Sequence, residues 1–427
     1  MVQIQVPSNA PHLQEDMTIE QLINWLAKYG QTNAGGVTRL LYSPSWLQAQ
    51  KALKEKMATI GLQTYFDSVG NLFGRTLGTV HAEKVILTGS HIDTVIQGGK
   101  YDGAYGIVAS LLAVKRLIER YGSPKYTIEV VSLCEEEGSR FPLTYWGSKN
   151  VMGQYDASAI SSLKDKNDVS FIDAMGEAGF PLSHYQSSKR KDVQHFVEVH
   201  IEQGQVLENK QFDIGIVSHI VGQQRYKVTF YGECNHAGTT EMQGRKDAMV
   251  CAANVISELT TLAIEKYPML RATVGQLQAE PNVPNVIAGT VSFTVDIRHH
   301  EQSVIEQFAK EMHAILNRID TLYQVKHIAE KWTEIEPVTL DEAMHEKAQE
   351  IVEARGYRYT SMVSGAGHDS QVFGQHIPTT LLFVPSQKGI SHSPLEYTAP
   401  HHLENGVQAL MGILYHLAYE GGNENEC

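Results

Sequence analysis

A chain of 427 residues, 42% hydrophobic and 19% charged, is long enough for two domains with a substantial core. Its formal charge of -13 argues against a nucleic-acid footprint, which needs a clustered basic face, and Lys189-Arg190-Lys191, the one dense basic run, reads as a solvated loop. Four cysteines (Cys134, Cys234, Cys251, Cys427) without a Cys-x-x-Cys pair fit reduced thiols, residues 1–7 lack a secretory pattern, and the apolar run 106–114 is ended by Lys115-Arg116 before it could cross a bilayer. The expectation is a soluble, cytoplasmic protein without nucleic-acid or membrane partners.

Thr18 caps a helix that continues through Leu22, Ile23 and Leu26 to Gly30, with Gln21 placed for a capping box. Ser43-Pro44 opens a second helix ending at Gly61, and 62–67 and 71–75 read as short strands. The apolar run Lys84-Val85-Ile86-Leu87 then gives way to Gly89-Ser90-His91-Ile92-Asp93-Thr94 and Tyr101-Asp102-Gly103-Ala104-Tyr105-Gly106. A histidine and two aspartates thus stand at the end of a buried strand, the edge where α/β proteins bind ligands. Imidazole and carboxylate both suit a divalent metal.

A helix over 107–121 and a β-branched strand over 127–133 follow, and the strand runs directly into Glu135-Glu136-Glu137-Gly138. Three glutamates at the end of a core strand raise one another's pKa, and a bound dication relieves that repulsion. After a helix over 171–178, the alternating segment 195–203 reads as a strand that delivers His200 to its end, beside Glu202 and Gln203. The rhythm of strand, site residues, helix, strand is that of a sheet with crossover helices and chemistry at the strand ends.

From about Ile214 the pattern changes to strands over 217–231, 271–278, 286–297 and 323–328 with helices over 247–262 and 303–319. This order predicts an α+β insertion with an antiparallel sheet, residues 214–329, spliced into a domain made of 1–213 and 330–427. The insertion contains Asn235-His236-Ala237-Gly238-Thr239-Thr240, Asn282-Val283-Pro284-Asn285 and Asp296-Ile297-Arg298-His299. Beyond it come a helix over 342–354, the small-residue loop Ser364-Gly365-Ala366-Gly367-His368-Asp369, a strand over 379–384, Gly389-Ile390-Ser391-His392-Ser393-Pro394, a helix over 402–419 and a frayed polar tail over 421–426.

These motifs run over nearly the whole chain and resemble the dinuclear-metal aminoacylase/carboxypeptidase superfamily, in particular its branch of N-carbamoyl-amino-acid and allantoate amidohydrolases. Thr38-Arg39-Leu40-Leu41-Tyr42-Ser43-Pro44, Arg140-Phe141-Pro142 and Tyr145-Trp146-Gly147-Ser148-Lys149-Asn150 are more similar to the allantoate side of that branch. Glu241-Met242 departs from the Pro-Met common in the family.

The resemblance implies an α/β fold: a phosphorylase/hydrolase-like mixed-sheet catalytic domain with an inserted, ferredoxin-like α+β domain that serves as lid and homodimer interface. It makes His91 and His200 ligands of one divalent metal, Glu137 and His392 ligands of a second, and Asp102 the bridge, with manganese or zinc, or else cobalt or nickel, as the ions. Glu136 becomes the general base and Asp93 orients His91. His236 assists the oxyanion, Arg298 grips a substrate carboxylate, Gln203 and Asn285 bind the ureido substrate, and Gly365 and Ala366 supply backbone amides. The implied reaction cleaves a ureido C–N bond of allantoate to ureidoglycine, ammonia and carbon dioxide, in allantoin breakdown. The alternative is N-carbamoyl-L-amino acids or 3-ureidopropionate with the same machinery. A non-catalytic binding protein on this scaffold would be expected to have lost ligands or base, and none is missing.

Overall fold

The computed structural model describes residues 17–155, 157–186 and 189–421. The expectations for residues 1–7, for the tail beyond 421 and for Cys427 lie outside the described residues. The chain divides into two compact units: Met1–Ser218 with Leu340–Met362 and His368–Cys427, and His219–Thr339 with Val363–Gly367.

In the first unit four strands are mutually parallel, in the order Tyr126–Leu133, His81–His91, Val193–Ile201, Thr379–Val384. They are rich in β-branched and apolar residues and buried on both faces, as parallel strands between helices must be. Their register pairs His91 with Leu133 and Ile201 with Val384, so all four carboxyl ends reach the same edge of the sheet. Antiparallel strands flank them: Leu72–Thr76 and Gln63–Phe66 beyond Tyr126–Leu133, and Ile214–Ile220 beside Thr379–Val384.

The helices Ala104–Tyr121 and Pro400–Tyr415 place Ile107, Val108, Leu111, Val407 and Leu410 in one core with Val197, Val199 and Leu382 of the sheet. At the helix Ile19–Ala27 the expected capping box is present, with Thr18 Oγ1 accepting from Gln21 N and Gln21 Oε1 accepting from Thr18 N. The sequence reading misses the strand Tyr359–Ser364, whose residues are mostly half-buried and so show no clean alternation.

In the second unit an antiparallel sheet runs Leu277–Glu280, Thr290–His299, Gly222–Tyr231, Lys326–Ile335, with Arg271–Thr273 also paired to Thr290–His299. Thr290–His299 alternates strictly, its Val291, Phe293, Val295 and Ile297 buried with Val228 and Phe230 beneath the helices Ala248–Lys266 and Gln302–Tyr323. The strand expected over 323–328 extends to Ile335, because Ile335 still pairs with Gln223, and so this unit ends at Thr339 rather than at 329.

Ala248–Lys266 is, by length and composition, apolar enough to cross a membrane, contrary to the expectation from apolar runs; Asn254 and Glu258 interrupt the run without removing its mean hydropathy. Its inner residues Cys251, Ala252, Val255 and Leu259 belong to the core of this unit, while Met249, Val250 and Ile264 stand exposed.

Candidate metal centre

The edge at the carboxyl ends of the parallel strands gathers His91, Asp102, Glu137, His200 and His392. His91 ends one strand and His200 lies one residue before the end of another, so both imidazoles stand at that edge, buried. Asp102 opens the turn into the helix Ala104–Tyr121, and its carboxylate faces both ways. Its Oδ1 lies 3.4 Å from His91 Nε2 and 3.2 Å from His200 Nε2. Its Oδ2 lies 3.2 Å from His392 Nε2, which is itself 3.4 Å from Glu137 Oε1. Two clusters result, His91–Asp102–His200 and Asp102–Glu137–His392, each with donor atoms within 4.8 Å of one another. Glu136 belongs to neither.

The donor set fits divalent cations. His91 Nδ1 donates to Asp93 O (3.1 Å) and His200 Nδ1 to Ile201 O (2.9 Å), which leaves each Nε2 as a lone-pair atom. His200 Nε2 also accepts from Gly103 N at 3.0 Å. Burial disfavours a charge on these imidazoles, but without a cation Asp102 beside them raises both and they gain a proton. In the neutral form that a cation requires, each presents its Nε2 lone pair beside a carboxylate oxygen, the donor pair on which a divalent ion replaces the proton. Glu137 Oε1 is buried and accepts no hydrogen bond. Burial pushes the Glu136 carboxyl well up and that of Glu137 to about 8, with the neighbouring Glu137 and Asp102 charges respectively adding to it.

Several residues hold this arrangement. Asp93 accepts from Glu136 N (3.0 Å) and Glu137 N (3.1 Å), so it joins the His91 loop to the glutamate loop as well as facing His91 Nδ1 at 3.3 Å. Gly103 has φ +61°, and a Cβ there would come within 2.5 Å of the His91 ring, so no side chain fits. Arg39, only 1% exposed, donates from Nε to Ile92 O (2.6 Å) and from Nη1 to Leu26 O and Tyr29 O (3.1 Å each), which clamps the loop between His91 and Asp93. Arg39→Met strips two buried carbonyls of a charged donor at about 1–3 kcal/mol each, and a half-buried one at less, offset in part by sparing a guanidinium its desolvation. The net expected loss is about 3 kcal/mol, read as an earlier urea midpoint at unchanged slope.

Gln203, expected at the substrate, has φ +56° and its amide is engaged: Nε2 donates to Asp102 Oδ2 (2.8 Å) and Ser391 Oγ (3.1 Å). Here its N–H groups hold the shared carboxylate, and Oε1 is the atom through which it could accept from a ureido N–H. Sequence reasoning missed Glu396, a buried carboxylate against the Asp102 backbone, because nothing in the spacing after His392 shows that the loop folds back. It left His368 unassigned; that ring packs edge-on against His200, with centroids 4.6 Å apart.

The remaining expected residues lie in the second unit in two groups. The strand Asn235–His236 pairs with Val286–Ile287, and Asn285 O accepts from Ala237 N, which brings His236 and Asn285 together on exposed backbone. Gly238 N and Thr239 N donate to His236 Nδ1 (3.0 and 3.2 Å), so the ring proton sits on Nε2. The other group is on the sheet face away from the helices. Arg298 donates to Asp296 Oδ1 (3.0 Å) and Oδ2 (3.3 Å) and to Gly365 O (3.0 Å), lining a cavity of about 630 Å³ with Arg225, Arg271 and Trp332. Gly365 thus offers its carbonyl to Arg298, and the Ala366 amide donates to Ser364 Oγ (3.3 Å).

The model of the peptidase family M20/M25/M40 matches residues 87–416. The chain is 52% identical over 402 residues to the allantoate amidohydrolase of Bacillus subtilis (strain 168) and 42% identical over 402 residues to that of Escherichia coli (strain K12), covering in each case 94% of this chain and 98% of the relative. It also resembles the crystal structure of an amidase of the hydantoinase/carbamoylase family from Burkholderia multivorans, with a TM-score of 0.86 at 32% identity over 93% of this chain and 96% of the other. With the match spanning most of its length and close relatives aligned nearly end to end, the chain belongs to the hydrolytic peptidase family M20/M25/M40.

Proposed function

We propose that this protein hydrolyses a ureido C–N bond of allantoate, releasing ammonia, carbon dioxide and ureidoglycine, with two divalent cations held at the sheet edge. The observation that carries the metal-dependent part is the division of Asp102: Oδ1 faces His91 and His200, and Oδ2 faces His392 with Glu137 behind it. The choice of allantoate rests on the likeness to the two allantoate amidohydrolases.

In this reading His91, His200 and Asp102 would hold one cation, and Glu137, His392 and Asp102 the second. A ureido carbonyl is a poor electrophile because two nitrogens donate into it, and divalent cations supply the Lewis acidity that it requires, together with acidification of water. Glu136 is adjacent in sequence to a ligand but free of both sets, so its carboxylate takes the proton of the attacking water and returns it to the departing ammonia. His236 contributes a neutral Nε2–H donor for the oxyanion, and Arg298 a guanidinium for the carboxylate. Zinc or manganese suits the imidazole and carboxylate donors, as do cobalt and nickel.

The test is ammonia release by the cation-loaded enzyme across allantoate, N-carbamoyl-L-amino acids and 3-ureidopropionate. The highest kcat/KM on allantoate is expected. Failure to turn over allantoate rejects the substrate, and no activity on any of the three rejects the reaction.

The same reading includes a homodimer through the inserted unit. Along the helix Ala248–Lys266, the residues Met249, Val250, Ala253, Ser257, Thr260 and Ile264 recur at helical spacing, are exposed apart from their own neighbours, and carry no charge. An uncharged stripe of this kind matches a second copy of itself. Ala253→Glu, on the outer side and away from the core, is expected to halve the mass measured by light scattering while the circular dichroism is kept.

A further inference from the structure

Glu396 lies between the turn Gln387–Gly389 and the helix Pro400–Tyr415, and its side chain folds back beneath the Asp102 peptide. Its Oε1 accepts from Tyr101 N (2.9 Å) and Asp102 N (3.2 Å), and its Oε2 lies 2.9 Å from Ser391 Oγ. The side chain is 5% exposed and tightly seated, since a Cβ on Gly99 would come within 2.0 Å of Oε1. Glu396 is four residues beyond His392, so it ties the loop that carries that histidine to the loop that carries Asp102.

A second buried carboxylate so near Asp102 is electrostatically unfavourable, and its position must be explained by what it accepts. Ser391 Oγ sits between the two acids, 2.9 Å from Glu396 Oε2 and 3.2 Å from Asp102 Oδ2, while receiving the Gln203 amide at 3.1 Å. One hydroxyl has one proton, so Ser391 can donate to Glu396 or to Asp102 but not to both. The shorter contact is to Glu396. The Glu396 carboxylate draws the Ser391 proton away from Asp102 Oδ2, an oxygen that already accepts from Gln203 Nε2 at 2.8 Å and has one lone pair left to face His392 and Glu137.

We propose that Glu396 is a positioning residue for the metal centre: it anchors the Tyr101–Asp102 backbone and turns the Ser391 hydroxyl away from Asp102 Oδ2, keeping that oxygen available to the cation on the Glu137–His392 side. Glu396 touches neither substrate nor cation. The inference rests on the two-cation reading above.

Glu396→Gln tests it, because glutamine has the same shape and can still accept from both amides, but it presents N–H to Ser391 and forces that hydroxyl round to Asp102. Full-length protein stripped of metal is titrated with zinc by calorimetry and with cobalt(II) by visible absorption. Wild type is expected to bind two equivalents. Glu396→Gln is expected to bind one of them about 10–100-fold more weakly, with an altered cobalt spectrum and a loss in kcat at little changed KM. Adding Ser391→Ala removes the proton that was turned, and the double variant is expected to recover at least about tenfold of the lost affinity. Wild-type affinity for both equivalents in Glu396→Gln, or no recovery in the double variant, overturns the proposal. Should the single variant fail to fold, the double variant decides alone: affinity within about threefold of wild type is expected, and a tenfold deficit overturns it. If wild type binds fewer than two equivalents, the two-cation reading itself is wrong and this inference falls with it.

Discussion

Glu136→Gln is expected to lower kcat by about 10³-fold while the protein still binds its full complement of cations, a loss of about 4 kcal/mol in transition-state stabilisation. The magnitude follows from removing proton transfer while keeping charge stabilisation at the reacting carbonyl. Glutamine keeps the shape of the side chain, and the backbone bond from residue 136 to Asp93 Oδ1 does not depend on the side chain, so the loop holds its place. Activity measured at saturating zinc or manganese, alongside metal content by mass spectrometry, separates the cases. Full activity removes Glu136 from the role of base. Loss of a cation equivalent makes it a ligand instead, which its absence from both donor clusters argues against.

Stripping the cations is expected to abolish turnover and to lower the melting temperature, and the size of that drop is expected to grow with pH. Each site filled to 100 times its dissociation constant contributes about 2.7 kcal/mol to folding. The pH dependence comes from what replaces the cations. In the metal-free protein burial and then the Asp102 charge raise Glu137 from 4.5 to about 8, so folding takes up a proton there across that interval, and stability falls as pH rises through it.

His392 behaves in the same sense. Its contact with Asp102 first, and then Glu137, raise it from 6.5 to about 9, so its contribution is fully present below 6.5 and is lost as pH rises through 9. Asp102 does not alter the trend: burial opposes its ionisation, but the facing imidazoles hold it well below the usual carboxylate range, where it stays charged throughout this window. Melting curves of stripped and loaded protein from about pH 6 to about pH 9 check this, with the gap expected to widen toward the alkaline end. A gap independent of pH would mean that cations and protons do not compete for these donors.

The sequence pattern is informative where an element declares itself locally. Thr18 and Gln21 spell the capping box that forms, and the apolar run before His91 becomes the buried strand that ends there. Elsewhere the pattern misleads by its averaging. The segment expected as one strand over 217–231 is two, Ile214–Ile220 and Gly222–Tyr231, and that expected over 271–278 is also two, because backbone pairing is decided by neighbours distant in the chain.

By itself the sequence determined which side chains could bind a cation and at which strand ends they would stand, because metal chemistry restricts donors to a few residue types and parallel strands bring their carboxyl ends to one edge. Only the tertiary structure decided how those donors are held. The two faces of Asp102, the lone pairs left on His91 and His200, the engagement of Gln203, and the supports from Arg39 and Glu396 all depend on hydrogen bonds between segments far apart in the chain. The bond from Asp102 N to Glu396 joins positions 294 residues apart, and no local periodicity encodes its direction.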